Sequence, residues 1–145
     1  MTDVRITRTI AAKPAQLYRA WLDPGLLSRW MAPGAHAVTR AEVDERVGGH
    51  FRIFLGDEGG FDAELLELVP DRRLVFRWGF VGPRRRAGPS FDSLLTVTFA
   101  EVEAGTLLTL VHERLDDLAA AMPAVADNVG PGWASALDNL AGVRL

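Results

Sequence analysis

A chain of 145 residues with 48% apolar and 24% charged side chains has the size and composition of one ordinary globular domain, taken here as residues 1–145. Such a domain buries roughly 68–70% of the surface its unfolded chain exposes and needs no covalent or metal staple. The absence of cysteine excludes disulfides, thiolate zinc sites and thiol nucleophiles, and a net charge of −3 disfavours a general affinity for nucleic acid or acidic membranes.

In chain order, Val4–Ile10 sets Val4, Ile6 and Ile10 against Arg5 and Thr7 and predicts a first strand. Pro14, with its fixed φ, opens an amphipathic helix carrying Leu17 and Trp21. Asp23 can cap, and Pro24 open, a second short helix with Leu26, Leu27, Trp30 and Met31, which Pro33-Gly34 ends. Ala35–Asp44 reads as a strand, Val47-Gly48-Gly49 as a turn, and His50–Leu55 as a strand alternating Phe51, Ile53 and Leu55 with His50 and Arg52. Asp57-Glu58-Gly59-Gly60 predicts a hairpin turn. In the following strand, Phe61–Val69, the adjacent Leu65-Leu66 breaks the alternation and suggests a bulge. Pro70-Asp71 then turns the chain into Arg73–Phe80, with Leu74, Phe76, Trp78 and Phe80 on one face.

Val81–Phe91 is a long loop rich in Gly, Pro and Arg; its Arg84-Arg85-Arg86 run reads as solvated, because three residues leave little electrostatic footprint for phosphate. Asp92–Val102 and Thr106–Glu113 complete the strands. Asp116–Asn128 is alanine-rich and partly helical, interrupted by Pro123 unless that residue lies in a first turn. Gly130-Pro131-Gly132 reads as a second interruption before an apolar stripe of Trp133, Leu137, Leu140 and Ala141. No stretch approaches the roughly 18 apolar residues of a membrane span. The opening Met1-Thr2-Asp3-Val4-Arg5 lacks a signal-peptide profile, so a cytoplasmic location is expected.

Consecutive strands joined by short turns are naturally antiparallel, and a terminal helix with one apolar face must cover one side of their sheet. The expected class is α+β of the helix-grip type: a curved antiparallel sheet of about six to seven strands around a C-terminal helix, with two short helices after the first strand. A twisted sheet curving around such a helix need not fill the space between the layers, so a cavity is expected.

Leu17-Tyr18-Arg19-Ala20-Trp21-Leu22-Asp23-Pro24, followed by Leu27 and Arg29-Trp30, resembles the opening signature of proteins similar to the activator of the heat shock protein 90 ATPase. These form a branch of the START-like (SRPBCC, Bet v 1-like) superfamily. Further matches run in order through Asp44, Arg46, Gly48-Gly49 and Phe51-Arg52, then Pro70, Arg73-Leu74-Val75-Phe76 and Trp78, then Gly105-Thr106, and finally Gly132-Trp133, Leu137 and Leu140. The resemblance covers nearly the whole chain. Two positions depart from it: Trp30-Met31 stands where the family usually has two tryptophans, and Tyr18 where a tryptophan is common. Met31 softens one pocket wall, since methionine fills irregular space. Resemblance to this family implies a lipid- or polyketide-binding type of fold. It does not bring activation of heat shock protein 90 with it, because a co-chaperone's further domain has no room in this length.

Standard catalytic motifs are absent: no G-x-S-x-G elbow, no H-E-x-x-H, no phosphate loop and no dinucleotide fingerprint. His36, His50 and His112 lie on three different strands, with nothing in their spacing that requires a metal. His112 shares strand parity with Leu108 and Leu110; there it is either an acid–base group, an anchor for a polar ligand atom, or a structural residue bonded near the helix. Asp44 and Arg46, two apart on the same face of a strand before the Gly-Gly turn, read either as a polar clamp at the cavity rim or as a surface ion pair or turn-fixing contact. The expected cavity lining is Trp30, Met31, Phe51, Ile53, Phe76, Trp78, Leu108, Leu110, His112, Trp133 and Leu137, while Trp21 reads as core.

The leading expectation is a non-catalytic protein for a small hydrophobic molecule, without cofactor or metal. Its rivals are a cyclase- or hydratase-type enzyme acting on an aromatic or polyketide-like substrate, marked by a titratable group with its pKa moved toward neutrality, and a co-chaperone-like interaction module with a filled interior and an exposed apolar patch. No nucleic-acid or membrane partner is expected. An edge strand or the first two helices offer surfaces for a homodimer.

Overall fold

The computed structural model describes residues 3–32, 37–56, 59–81, 92–143 and 145. Its elements are β1 (Val4–Ile10), α1 (Pro14–Ala20), α2 (Pro24–Trp30), β2 (Arg40–Val43), β3 (His50–Phe54), β4 (Gly60–Val69), β5 (Arg73–Val81), β6 (Ser93–Val102), β7 (Gly105–Glu113), α3 (Asp116–Ala121), α4 (Pro123–Asp127) and α5 (Val129–Gly142). The seven strands form one antiparallel sheet in the order β1-β7-β6-β5-β4-β3-β2. Helix α5 lies against β1 and α2, with α1 against β6 and α2 against β2, which is the helix-grip arrangement. Among the described residues, no helix is long and apolar enough to cross a membrane.

Local chemistry accounts for the boundaries. Pro14 opens α1, and the Gln16 side chain accepts the Lys13 N–H at 2.9 Å. Asp23 caps α2 by accepting the Leu26 N–H at 3.1 Å, with Pro24 in the first turn. The bulge expected at Leu65-Leu66 is present: the register slips between Leu65 and Glu67, and the extra residue Leu66 faces solvent. There the Gly48–Gly49 turn is stitched to β4, through Gly48 N–H to Leu65 O at 2.7 Å and Leu65 N–H to Gly49 O at 2.9 Å.

Three expectations change. Strand β2 is shorter than Ala35–Asp44: Ala35 and His36 lie outside the described residues, and pairing ends at Val43, where Asp44 turns the chain by accepting the Arg46 N–H at 2.8 Å. The Asp57-Glu58 half of the hairpin turn, Pro33-Gly34 and nearly all of the Arg-rich loop also lie outside the described residues. Gly130-Pro131-Gly132 does not interrupt the terminal helix. Pro131 sits in the first turn of α5, where a missing N–H removes no helical bond, and Gly132 already donates to Asn128 O at 2.8 Å. The real break lies one element earlier, at Met122, where α3 ends and Pro123 opens α4. The buried stripe of α5 is Val129, Trp133, Ala136, Leu137 and Leu140; Ala141 faces solvent.

Antiparallel register sorts the sheet into two faces. Phe51, Ala63, Trp78 and Ser93 are successive cross-strand partners, as are Leu65, Phe76, Leu95 and His112, so all eight point to the side covered by the helices. The other face carries cross-strand ion pairs, among them Arg77 with Glu64 at 2.5 Å and with Asp92 at 3.3 Å. Gly105, at the β6–β7 turn, has φ +134, and a Cβ there would lie 2.2 Å from Ile10 O, so only glycine lets β7 start beside β1.

Candidate functional site

Inward-facing rings of β3 and β5 meet Trp21, Trp30 and Trp133 of the helical layer in one aromatic cluster. Trp133 of α5 stacks on Trp21 at 5.8 Å and lies 5.3 Å from Trp78; Phe76 stands 5.8 Å from Trp78 and 5.0 Å from Phe51. Trp21, at the end of α1, holds Trp30 edge-on at 4.8 Å, which ties α2 into the same cluster. Offset and edge-on geometries are those that ring quadrupoles favour.

Every residue expected to line the interior is buried on this side: Trp30, Met31, Phe51, Ile53, Phe76, Trp78, Leu108, Leu110, His112, Trp133 and Leu137. They come together more tightly than the sequence suggests. Phe51, Phe76, Trp78, Leu108, Leu110 and His112 have 0% of their surface accessible, so not even a water-sized void borders them. Bulky rings from three helices fill the space between the layers over the middle of the sheet.

Cover is uneven over one wing, where Phe51 and Ile53 on β3 are fully buried but the inward-facing residues of the neighbouring strands are not. Ala41 and Val43 on β2, Phe61 and Ala63 on β4 and Phe80 on β5 all face inward by register, yet they are only half-buried. Ala63, Phe61 and Phe80 stand on interior strands, so their exposure is no edge effect. Phe61 lies 5.3 Å from Trp78 and edge-on to Phe80 at 6.0 Å; Phe80 in turn stacks on the His112 ring at 5.9 Å.

Below that wing lies one polar network. The Trp133 indole N–H donates to His112 Nδ1 at 3.0 Å, so Nδ1 carries no proton. The neutral ring therefore bears its proton on Nε2 and donates to Ser93 Oγ, 2.6 Å away. Ser93 passes its own hydroxyl proton to Trp78 O at 3.1 Å. Both imidazole nitrogens are thus committed, and burial lowers the His112 pKa from 6.5 to about 3. This is the structural alternative among those open for His112: a neutral pin joining β6, β7 and α5.

Two indoles lack such partners. Trp30 donates to Ala20 O at 3.0 Å, but the buried Nε1 atoms of Trp21 and Trp78 have no acceptor among the described residues. Ser93 was not singled out from the sequence, although its parity with Leu95, Val97 and Phe99 marks it as a lone hydroxyl on an apolar face. Phe61 and Phe80 were placed in strands but not in the site.

Asp44 and Arg46 do not share a strand face. Both lie beyond the end of β2, where Arg46 Nε meets Asp44 Oδ2 at 2.7 Å across the turn, with the arginine well exposed. His50 is exposed on β3, on the face opposite to His112, and no group of three metal-binding side chains occurs among the described residues. An open surface groove of about 670 Å³ runs between the β1–α1 connection and the β6–β7 turn, lined by Lys13, Gln16, Glu101 and Glu103 among others; none of the expected site residues borders it.

Residues 11–143 match the family model described as Activator of Hsp90 ATPase homolog 1-like protein. The chain belongs to that family. Among solved structures, protein CV1439 from Chromobacterium violaceum is 32% identical, with a TM-score of 0.78 over 97% of this chain and 95% of that one. PFC0360w, an HSP90 activator from Plasmodium falciparum, is 30% identical with a TM-score of 0.61, covering 77% of this chain and 72% of that one. CalU16 from Micromonospora echinospora is 27% identical with a TM-score of 0.70, covering 96% of this chain and 71% of that one. No curated protein matches the chain. As an Activator of Hsp90 ATPase homolog 1-like protein, the chain has the START/Bet v 1-like fold, the architecture read from its strand and helix pattern.

Proposed function

We propose that this protein binds a small, largely apolar molecule on the β2–β4 wing of its concave face and performs no chemistry on it. The observation that carries this reading is the half-buried state of Ala41, Val43, Phe61, Ala63 and Phe80, apolar side chains that face inward over a floor of fully buried Phe51 and Trp78. Apolar surface left uncovered on the concave side is what a hydrophobic guest would remove from water. A rearrangement no larger than rotation of the two phenyl rings would deepen the site.

The rival readings find less support. A cyclase or hydratase needs a titratable group held near neutrality, whereas burial moves His112 away from it, to about 3, and both its nitrogens are occupied. An interaction module predicts a filled interior, as found over the middle of the sheet, together with a contiguous exposed apolar patch. Of the large exposed hydrophobics among the described residues, Val47 and Leu66 adjoin the contact between Gly48 and Leu65, while Val102 and Met122 lie in other parts of the fold.

The test is a thermal-shift and tryptophan-fluorescence titration with a panel of small aromatic and aliphatic molecules, paired with Ala63→Trp. A ligand at 100 times its Kd should stabilise the native state by about 2.7 kcal/mol. The bulky side chain at residue 63 should abolish saturation while leaving the circular-dichroism spectrum unchanged. Binding that survives Ala63→Trp unaltered would place the guest elsewhere and end this reading.

A further inference from the structure

Resting on the binding reading above, we infer that the guest is an uncharged aromatic molecule whose carbonyl-type acceptor takes the indole N–H of Trp78. Of the four tryptophans, Trp30 and Trp133 have acceptors within the fold, at 3.0 Å each. Trp21 and Trp78 are fully buried with no acceptor for Nε1 among the described residues. Buried donors are nearly always paired, because dehydrating an N–H without a new bond is unfavourable. A ligand atom can supply the missing partner.

Of the two, Trp78 is the one a guest can reach. Trp21 is walled by Trp30, Phe76 and Trp133, all buried. Trp78 is screened by Phe61, which is half-buried and leans edge-on against the half-buried Phe80. Phe51, Phe76 and Trp133 close the other sides of the Trp78 ring, so the approach runs past Phe61 and Phe80, two phenyl side chains that already touch solvent and whose rotation needs no backbone movement.

Charge and shape follow from the same surroundings. The buried polar side chains among the described residues are Ser93, Thr106 and His112, none of them charged in the network drawn above. Thr106 is spent on Ala12 O at 2.7 Å, Ser93 on Trp78 O, and both His112 nitrogens on Trp133 and Ser93. An ionised guest would lose its hydration and meet no buried counter-charge among the described residues. An acceptor without charge meets a donor that wants one. Phe61, Phe80 and Trp78 present rings beside the aliphatic Ala41, Val43 and Ala63, so a flat aromatic body gains offset and edge contacts there that an alkyl chain would not.

The test compares 2-acetylnaphthalene, 2-ethylnaphthalene and 2-naphthoate, which share a ring system and differ in acceptor and charge. Calorimetry or fluorescence should give the ketone an affinity about tenfold above the ethyl compound, the step expected when one otherwise unmet donor is satisfied. Naphthoate should bind more weakly than the ketone. Trp78→Phe should erase the ketone's advantage, bringing its affinity level with that of 2-ethylnaphthalene measured on the same variant. If that variant does not fold, the indole N–H proton resonances of the wild type decide: the ketone alone should shift one of them downfield. Equal affinities for ketone and ethyl compound, or an advantage that survives Trp78→Phe, overturn the inference while leaving the binding reading intact. Failure of all three to bind removes both.

Discussion

Acid should weaken this fold through His112, and the size of the effect follows from its environment. The imidazole has 0% accessible surface, contacts Trp78, Phe80 and Trp133 as ring neighbours, and owes its lowered pKa, about 3 against 6.5, to burial. In the unfolded chain the same ring titrates at its ordinary value, so between these two pKa values the unfolded state binds the extra proton. Stability therefore rises with pH in that window: it is fully present above about 6.5, falls as pH drops toward 3, and is flat below. Linkage puts the loss between pH 7 and pH 5 at about 2 kcal/mol, approaching ~1.4 kcal/mol per pH unit below pH 6. Urea denaturation of the wild type and of His112→Gln at half-unit steps from pH 8 to pH 5 isolates the term, because titrating carboxylates contribute to both curves. The wild type should lose about 2 kcal/mol more than the variant over that range, and the His112 ring protons should not titrate above pH 5. Parallel curves for the two proteins would show that the ring is not held neutral and that the Trp133–His112–Ser93 network is wrongly drawn.

Three further substitutions probe the frame. Gly105→Ala forces a side chain into a backbone with φ +134 and within 2.2 Å of Ile10 O, so it should cost at least about 2 kcal/mol and lower Tm by several degrees. Gly142→Ala, at the end of α5 with nothing within 4 Å of the new methyl, should be neutral or stabilise by up to ~1 kcal/mol in the same calorimetric scan. Arg46→Ala should change stability by no more than about 1 kcal/mol, since its pair with Asp44 is largely solvated. It should also leave ligand titrations unchanged; an altered affinity would restore the pair as part of a binding rim.

Much of the frame was legible before any coordinates. Asp23-Pro24 carries its own cap and first turn and Leu65-Leu66 its own bulge, because each depends on atoms a few residues apart. Pro131 was misread for the converse reason. A proline marks a break only when it lies beyond the first turn, and where α5 begins is set by the packing of Val129 and Trp133 rather than by the local Gly-Pro-Gly. Asp44 and Arg46 were placed on a common strand face because two-residue spacing implies one, but the chain leaves the sheet at Val43 and the pair bridges a turn instead.

Residue order by itself determined which face of each strand turns inward, since side chains alternate and a single register slip would expose the whole apolar set. It thereby named the rings that meet around Trp133. Only tertiary structure decided how those rings share the space: that they close over the middle of the sheet, that Ala41, Val43, Phe61, Ala63 and Phe80 stay half-buried, and that His112 is pinned between Ser93 and Trp133 while the Trp78 indole has no acceptor among the described residues. Alternation fixes a direction, but coverage and hydrogen bonding depend on where distant segments cross to within a few ångströms, and no short-range pattern encodes that crossing.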